Sequence, residues 1–216
     1  MPRKKSKKNI PVLPKLWILC EGTKTEINYL QGYIKDKHCN NRRVSFIRIP
    51  KVPENTPKSL VKKAVNVKKS AESKIGDIFW VAYDRESPAK YSDELHSQAL
   101  SVATNNGVNV ALTNVCIEMW LLLHFGYTTA SYNSCDDLLR TSKFKAHCKA
   151  LGINSYDKGC SNIYERFKPY VKDAISNAEK LENHNIKNYQ QGTPSYNMNP
   201  YTDFHKILEA IDVFVR

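Results

Sequence analysis

Four short apolar runs separated by amphipathic stretches constrain the fold of this chain more than any other feature. Leu16-Trp17-Ile18-Leu19-Cys20 is continuously apolar, which suits a strand buried on both faces. Val44 to Ile49 reads as a second strand, Ile78 to Tyr83 as a third and Val108 to Leu112 as a fourth. Helical patterns lie between them. Thr23 begins one, with Ile27, Leu30 and Ile34 recurring at helical spacing. Thr56-Pro57 supplies a cap and a first-turn proline to the next, which carries Leu60, Val61, Ala64, Val65 and Ala71 on one side and lysines on the other. Tyr91 to Thr104 forms the third and stops at Asn105-Asn106-Gly107. The order βαβαβαβ predicts an α/β fold: a parallel sheet of about four strands, right-handed crossovers and helices on both faces.

Beyond Asn114 the pattern turns helical, with expected helices at 116–125, within 135–150, at 161–182 and at 201–215, and a polar loop at 183–199. The expected organisation is a basic arm at 1–14, an α/β domain at 15–126 and a helical C-terminal region at 127–216.

Ligands of open α/β sheets bind at the carboxyl ends of strands. Glu21 follows the first strand, and Asp84-Arg85-Glu86 ends the third. On an extended segment, positions i and i+2 share a side, so Asp84 and Glu86 can face one cation. Magnesium or manganese suits such a carboxylate set, and would polarise a phosphodiester and activate water. Gly22 is read as the residue that lets the backbone turn and a phosphate approach. Each carboxylate alone has a plainer reading as a solvated strand end. Glu26 has two readings: the second half of a Thr23-x-x-Glu26 capping box, or a site residue. Glu118 sits in an apolar stretch, where an unpaired charge costs several kcal/mol, so it is either a site residue or a carboxylate tied to backbone or lysine. His124 reads better as a satisfied core residue, and Tyr164 and Tyr170 better as helix packing than as base-stacking platforms.

The chain carries 33 Lys and Arg against 21 Asp and Glu, a net charge of +12. Lys4 and Lys5 belong to a basic run at the start, Lys62 and Lys63 to a second between 58 and 74, and Arg140 to Lys149 to a third. The excess points to nucleic acid, and Lys58 to Lys74 or the lone Lys158 would by themselves be ordinary solvated lysines. The six cysteines form no CxxC pair. His38-Cys39 and His147-Cys148 lack the second close pair of a zinc site, and Cys20 and Cys116 read as core. No apolar run nears the roughly 20 residues of a membrane span, and no export signal follows the basic start, so a cytoplasmic protein without a membrane partner is expected.

Glu21-Gly22-Thr23-Lys24-Thr25-Glu26, Asp84-Arg85-Glu86, the run from Asn114 to Phe125 and Asn199-Pro200-Tyr201-Thr202 together resemble the RloB-like proteins, in order and over most of the chain. The Asn114–Phe125 motif is the most specific part. That family is Toprim-related, is associated with bacterial abortive infection and resembles the nuclease half of OLD-type and PARIS-type defence systems. The resemblance implies a Toprim-like sheet and a metal-dependent endonuclease acting on RNA such as tRNA, or on DNA. It assigns Glu21, Asp84 and Glu86 to the metal, and Glu21, Glu26 and Glu118 to catalysis. It also implies an ABC/SMC-type ATPase encoded near by, since this chain has no GxxxxGK[ST] motif of its own. Two positions depart from the pattern: Glu86 stands where Toprim relatives have a second aspartate, and Val115 where the family more often has proline. The competing readings are a non-catalytic nucleic-acid-binding or ATPase-docking module on a Toprim shell, and nucleotidyl or strand transfer.

Overall fold

The computed structural model describes residues 13–54 and 56–216; Lys4 and Lys5 lie outside them. The predicted alternation is realised as β1 (Leu16–Cys20), α1 (Thr25–His38), β2 (Ile47–Arg48), α2 (Pro57–Lys69), β3 (Ile78–Asp84), α3 (Asp93–Asn105) and β4 (Asn109–Asn114). These four strands are parallel, in the order β2-β1-β3-β4. A fifth strand, β5 (Tyr201–Thr202), joins β4 antiparallel and was not expected from the sequence. Two residues at the head of a helical pattern carry too little periodicity to announce a strand.

Alternation along β1 sorts its side chains to the two faces. Leu16, Ile18 and Cys20 pack into one core, and Trp17 and Leu19 into the other. The second core is closed by α2 and α3 through Leu60, Val61, Ala64 and Ala99. The first is larger. It takes Leu30 of α1 together with Trp120, Phe144, Phe167, Leu181 and Phe214, so it runs without interruption across residue 127.

The helices after β4 are α4 (Glu118–Leu122), α5 (Cys135–Thr141), α6 (Phe144–Ala150), α7 (Ile163–Phe167), α8 (Val171–Asn188) and α9 (Phe204–Val215). Several expected bounds shift. The predicted strand 44–49 is a 3-10 turn over Arg42–Phe46 and then two strand residues. The predicted helix 161–182 is split by a 3-10 turn at Lys168–Tyr170, where Pro169 supplies no N–H. Helix α8 then runs six residues into the expected loop, because buried Asn185 donates to the Pro200 carbonyl (3.0 Å).

The cap at Thr56 forms as predicted: its hydroxyl and that of Ser59 reciprocally accept from backbone N–H groups, with Pro57 in the first turn. The box at Thr23 does not form, since α1 starts at Thr25 with Lys24 at its cap and no side-chain bond there. His124 is a core residue. Its Nδ1 donates to the Trp120 carbonyl (3.1 Å), Nε2 accepts from the Tyr29 hydroxyl (2.8 Å), and burial lowers its pKa to about 3. Among the described residues, no helix is long and apolar enough to cross a membrane.

Candidate metal and nucleic-acid site

Strands β1 and β3 pair from Leu16↔Ile78 to Cys20↔Ala82, so both end at one edge of the sheet. The pairing carries on into the loop through Glu21 N–H to the Ala82 carbonyl (2.9 Å). This brings Glu21 and Asp84 together in a cleft of about 200 Å³, lined also by Gly22, Lys24, Glu26, Glu86 and Lys158. Glu21 is held at both oxygens: Oε2 accepts from the Asp84 backbone N–H (3.0 Å) and Oε1 from the Tyr91 hydroxyl (3.1 Å). Glu26 Oε1 accepts from Gly22 N–H (3.1 Å). A Cβ at Gly22 would meet the Glu26 carboxylate and push that side chain aside. The Asp84 carboxylate, by contrast, accepts no hydrogen bond and forms no ion pair among the described residues.

Glu86 reaches the cleft by a different route from the one expected. Strand β3 stops at Asp84, and Glu86 has φ +57°, a left-handed conformation uncommon outside glycine. The i, i+2 argument for an extended segment therefore does not describe it. Its N–H donates to the Val115 carbonyl (2.8 Å) and its carboxylate pairs with Lys90 (2.7 Å). Arg85, between the two acids, is buried and turned away. It donates to the carbonyls of Tyr196 (2.9 Å) and Tyr91 (2.8 Å) and pairs with Asp93.

Glu118 opens α4 and is fully buried. Its Oε1 accepts from the Tyr156 hydroxyl (2.9 Å) and lies 3.7 Å from Lys158 Nζ, while Oε2 accepts from the Cys135 thiol (3.3 Å). Glu118 does not line the cleft, but its charge bears on both Asp84 and Glu26. The loop carrying Lys158 is anchored on α1 by Thr25 Oγ1 donating to the Lys158 carbonyl (2.6 Å) and Asn28 to that of Cys160 (3.3 Å). Ligating atoms of Cys116, Glu118 and Cys135 all lie within 4.8 Å of one another, a grouping able to hold a metal.

Crowded carboxylates resist ionisation. Burial, opposed by its two hydrogen bonds, lifts Glu21 to about 7. Burial and then the neighbouring acids raise Asp84 and Glu26, while Lys158 pulls both the other way. A group with a raised folded pKa keeps its proton in the folded state after the unfolded chain has lost it. Stability is then lost as pH rises from the unfolded value towards the folded one. Buried His96 and His124, lowered to about 4 and about 3, act oppositely, and their effect is complete near pH 6.5. Metal-free protein is therefore expected to melt at lower temperature at about pH 8 than at about pH 6.5. Asp84→Asn should flatten that slope, as differential scanning calorimetry would show.

The structure gathers Glu21, Glu26, Asp84, Glu86 and Lys158 at one cleft, with Glu118 behind it. Lys62 and Lys63 are on α2 and line none of it. Lys68, of the same basic run, instead holds the carbonyls of Asn106 (2.7 Å) and Gly107 (2.6 Å). Lys24 and Tyr91 have no assigned role in the sequence reading, and Tyr156 figures there only among the C-terminal tyrosines able to stack bases. Lys24 stands inside the Glu21–Glu26 motif and was legible there, but the tyrosines arrive through the tertiary fold. A larger apolar groove, about 390 Å³ between α1 and β2, shares no residue with the cleft.

No curated protein and no solved structure matches the chain. The family model described as "RloB-like protein" matches residues 16–211, which include every strand of the sheet and every acid of the cleft. On that match the chain belongs to the RloB-like protein family.

Proposed function

We propose that this chain is a metal-dependent endonuclease of bacterial anti-phage defence, cleaving RNA such as tRNA, or DNA, in the cytoplasm beside a partner ATPase. The observation that carries the reading is the unpaired Asp84 carboxylate in a cleft with three further acids and two lysines. The donor set fits a hard divalent ion: it is all oxygen, and Asp84 has no competing hydrogen-bond donor among the described residues. Asp84, Glu86 and Glu21 would hold magnesium or manganese, which when bound polarises a phosphodiester and activates water.

The chain's own groups divide the remaining work. Glu21, with a pKa near neutrality and two hydrogen bonds fixing its orientation, holds or gives a proton at the scissile phosphate. Lys24 and Lys158 offset phosphate charge at the cleft, and the excess of basic residues draws the polyanion in. Glu118 keeps Lys158 in place, and Glu26 keeps the first turn of α1 against Gly22. The RloB-like and Toprim resemblance supplies the defence context and the ATPase.

Labelled tRNA, single-stranded DNA and duplex DNA, incubated with and without magnesium or manganese, test the reading. Metal-dependent cleavage of any of them supports it. Salt-sensitive binding without cleavage points instead to the docking module, a reading favoured by the Glu86–Lys90 and Glu118–Lys158 pairs, which neutralise two of the acids internally. Asp84→Ala should weaken magnesium binding by about 10-fold or more, the low end of what even outer-shell changes do to a metal site. Equal affinities by calorimetry would remove Asp84 from the site.

A further inference from the structure

We propose that Cys116, Cys135 and Glu118 form a second metal site, selective for a soft divalent ion of the zinc class and separate in ligand chemistry from the carboxylate cleft. Cys116 lies in the turn after β4, Glu118 opens α4 and Cys135 opens α5, so the fold assembles the group across a long loop. Both cysteines are free. The Glu118 Oε2 to Cys135 Sγ separation is 3.3 Å, and all three ligating atoms fall within 4.8 Å. Zinc with one sulfur and one oxygen ligand in tetrahedral geometry sets those two atoms about 3.5 Å apart, so the ion enters with little rearrangement.

Ligand type decides the metal. Two thiolates and one carboxylate favour zinc or cadmium, whereas magnesium prefers oxygen alone. Charge balances as well. Two thiolates, a carboxylate and a divalent cation leave one negative charge, and Lys158 stands 3.7 Å from Glu118 Oε1 to offset it. The Tyr156 hydroxyl on that same oxygen fixes the carboxylate, as outer-shell partners do in metal sites. Three protein ligands leave the fourth position open to water or an added ligand. Binding would tie the end of β4 to α5 and hold Glu118 by Oε2, leaving Oε1 to Tyr156 and Lys158. Neither His38-Cys39 nor His147-Cys148 offers a competing centre: His38 bonds Asp212 (2.7 Å), and His147 stacks on Phe125.

The test is titration of the full, thiol-reduced, metal-free chain with cadmium, read by sulfur-to-cadmium charge-transfer absorption. The expected result is saturation at one equivalent that excess magnesium does not reverse. Cys135→Ser, at a half-buried position, should lower the affinity at least about 10-fold, and Glu118→Gln should lower it too. Cys39→Ser and Cys160→Ser should leave it unchanged. Asp84→Asn should keep the one-equivalent sulfur-to-cadmium band, so the fate of this site and that of the carboxylate cleft are read separately. Cys116→Ser is a second probe, with circular dichroism to check folding at that buried position. Absence of the absorption in the wild-type chain overturns the proposal, as does its survival in Cys135→Ser or its loss in Cys39→Ser or Cys160→Ser.

Discussion

Glu21→Gln is expected to lower the single-turnover rate of phosphodiester cleavage by about 10²–10⁴-fold at saturating magnesium, the usual worth of a positioned proton-transfer group. The substitution is close to isosteric. Its amide oxygen can still accept from the Asp84 N–H, and the Tyr91 hydroxyl can rotate to accept from the amide nitrogen, so both anchors of the side chain survive. What disappears is a carboxyl group whose pKa of about 7 lets it take and return a proton near physiological pH. Saturating magnesium removes any contribution from weakened metal binding, and a parallel filter-binding measurement should find nucleic-acid affinity unchanged. Full cleavage by Glu21→Gln would take Glu21 out of the proton-transfer role. If Asp84→Asn also retained full cleavage, the carboxylate cleft would not be the site of the reaction.

Arg85→Ala is the second large effect expected, on folding stability. Arg85 is 4 % exposed, and its guanidinium donates to two main-chain carbonyls, of Tyr196 and Tyr91. Its partner Asp93 is largely exposed, so that ion pair contributes little. Truncation takes a charged donor away from both carbonyls, of which that of Tyr196 keeps only the long bond from Asn114 Nδ2 (3.4 Å), and opens a cavity where the side chain was. The expected loss is about 2–4 kcal/mol, from two hydrogen bonds to a charged donor, read as a lower urea midpoint with little change in slope. Arg85→Lys keeps the charge but replaces a planar fork of three contacts with one ammonium, and should lie between. Because Asp84 and Glu86 flank Arg85, magnesium affinity should fall alongside stability. An unchanged midpoint would show that the two carbonyls find other donors.

The parallel sheet and the place of Glu21 and Asp84 on it were legible, because long apolar runs ending in acids carry both a strand and its C-terminal edge. Thr56-Pro57 was legible for a similar reason, its capping partner being three residues away. The dividing line is contact distance along the chain. Tyr91 on Glu21 and Tyr156 on Glu118 join residues 70 and 38 positions apart, and no local pattern announces them. Glu86 shows the same limit in another form: alternation assumes an extended backbone, and a left-handed residue breaks the assumption without leaving a mark in the sequence. Cys116 was read as a core residue, which it is, but its proximity to Cys135 is a property of the loop between β4 and α5. Glu26 needed the structure as well. It bonds the Gly22 N–H rather than that of Thr23, so the capping box fails, and it lines the cleft beside Asp84.

The Arg85 anchor on the Tyr196 carbonyl, with β5 beside β4 and α9 in the larger core, has a consequence for the order in which the cleft forms during synthesis. All the acids of the cleft have been translated once Glu86 leaves the peptidyl-transferase centre, but the turn that aims Asp84 and Glu86 waits for Tyr196, 110 positions downstream. A nascent chain halted before Tyr196 has the acids without their frame. The geometry of the cleft is therefore expected to form only after Tyr196 has emerged, well after the acids themselves.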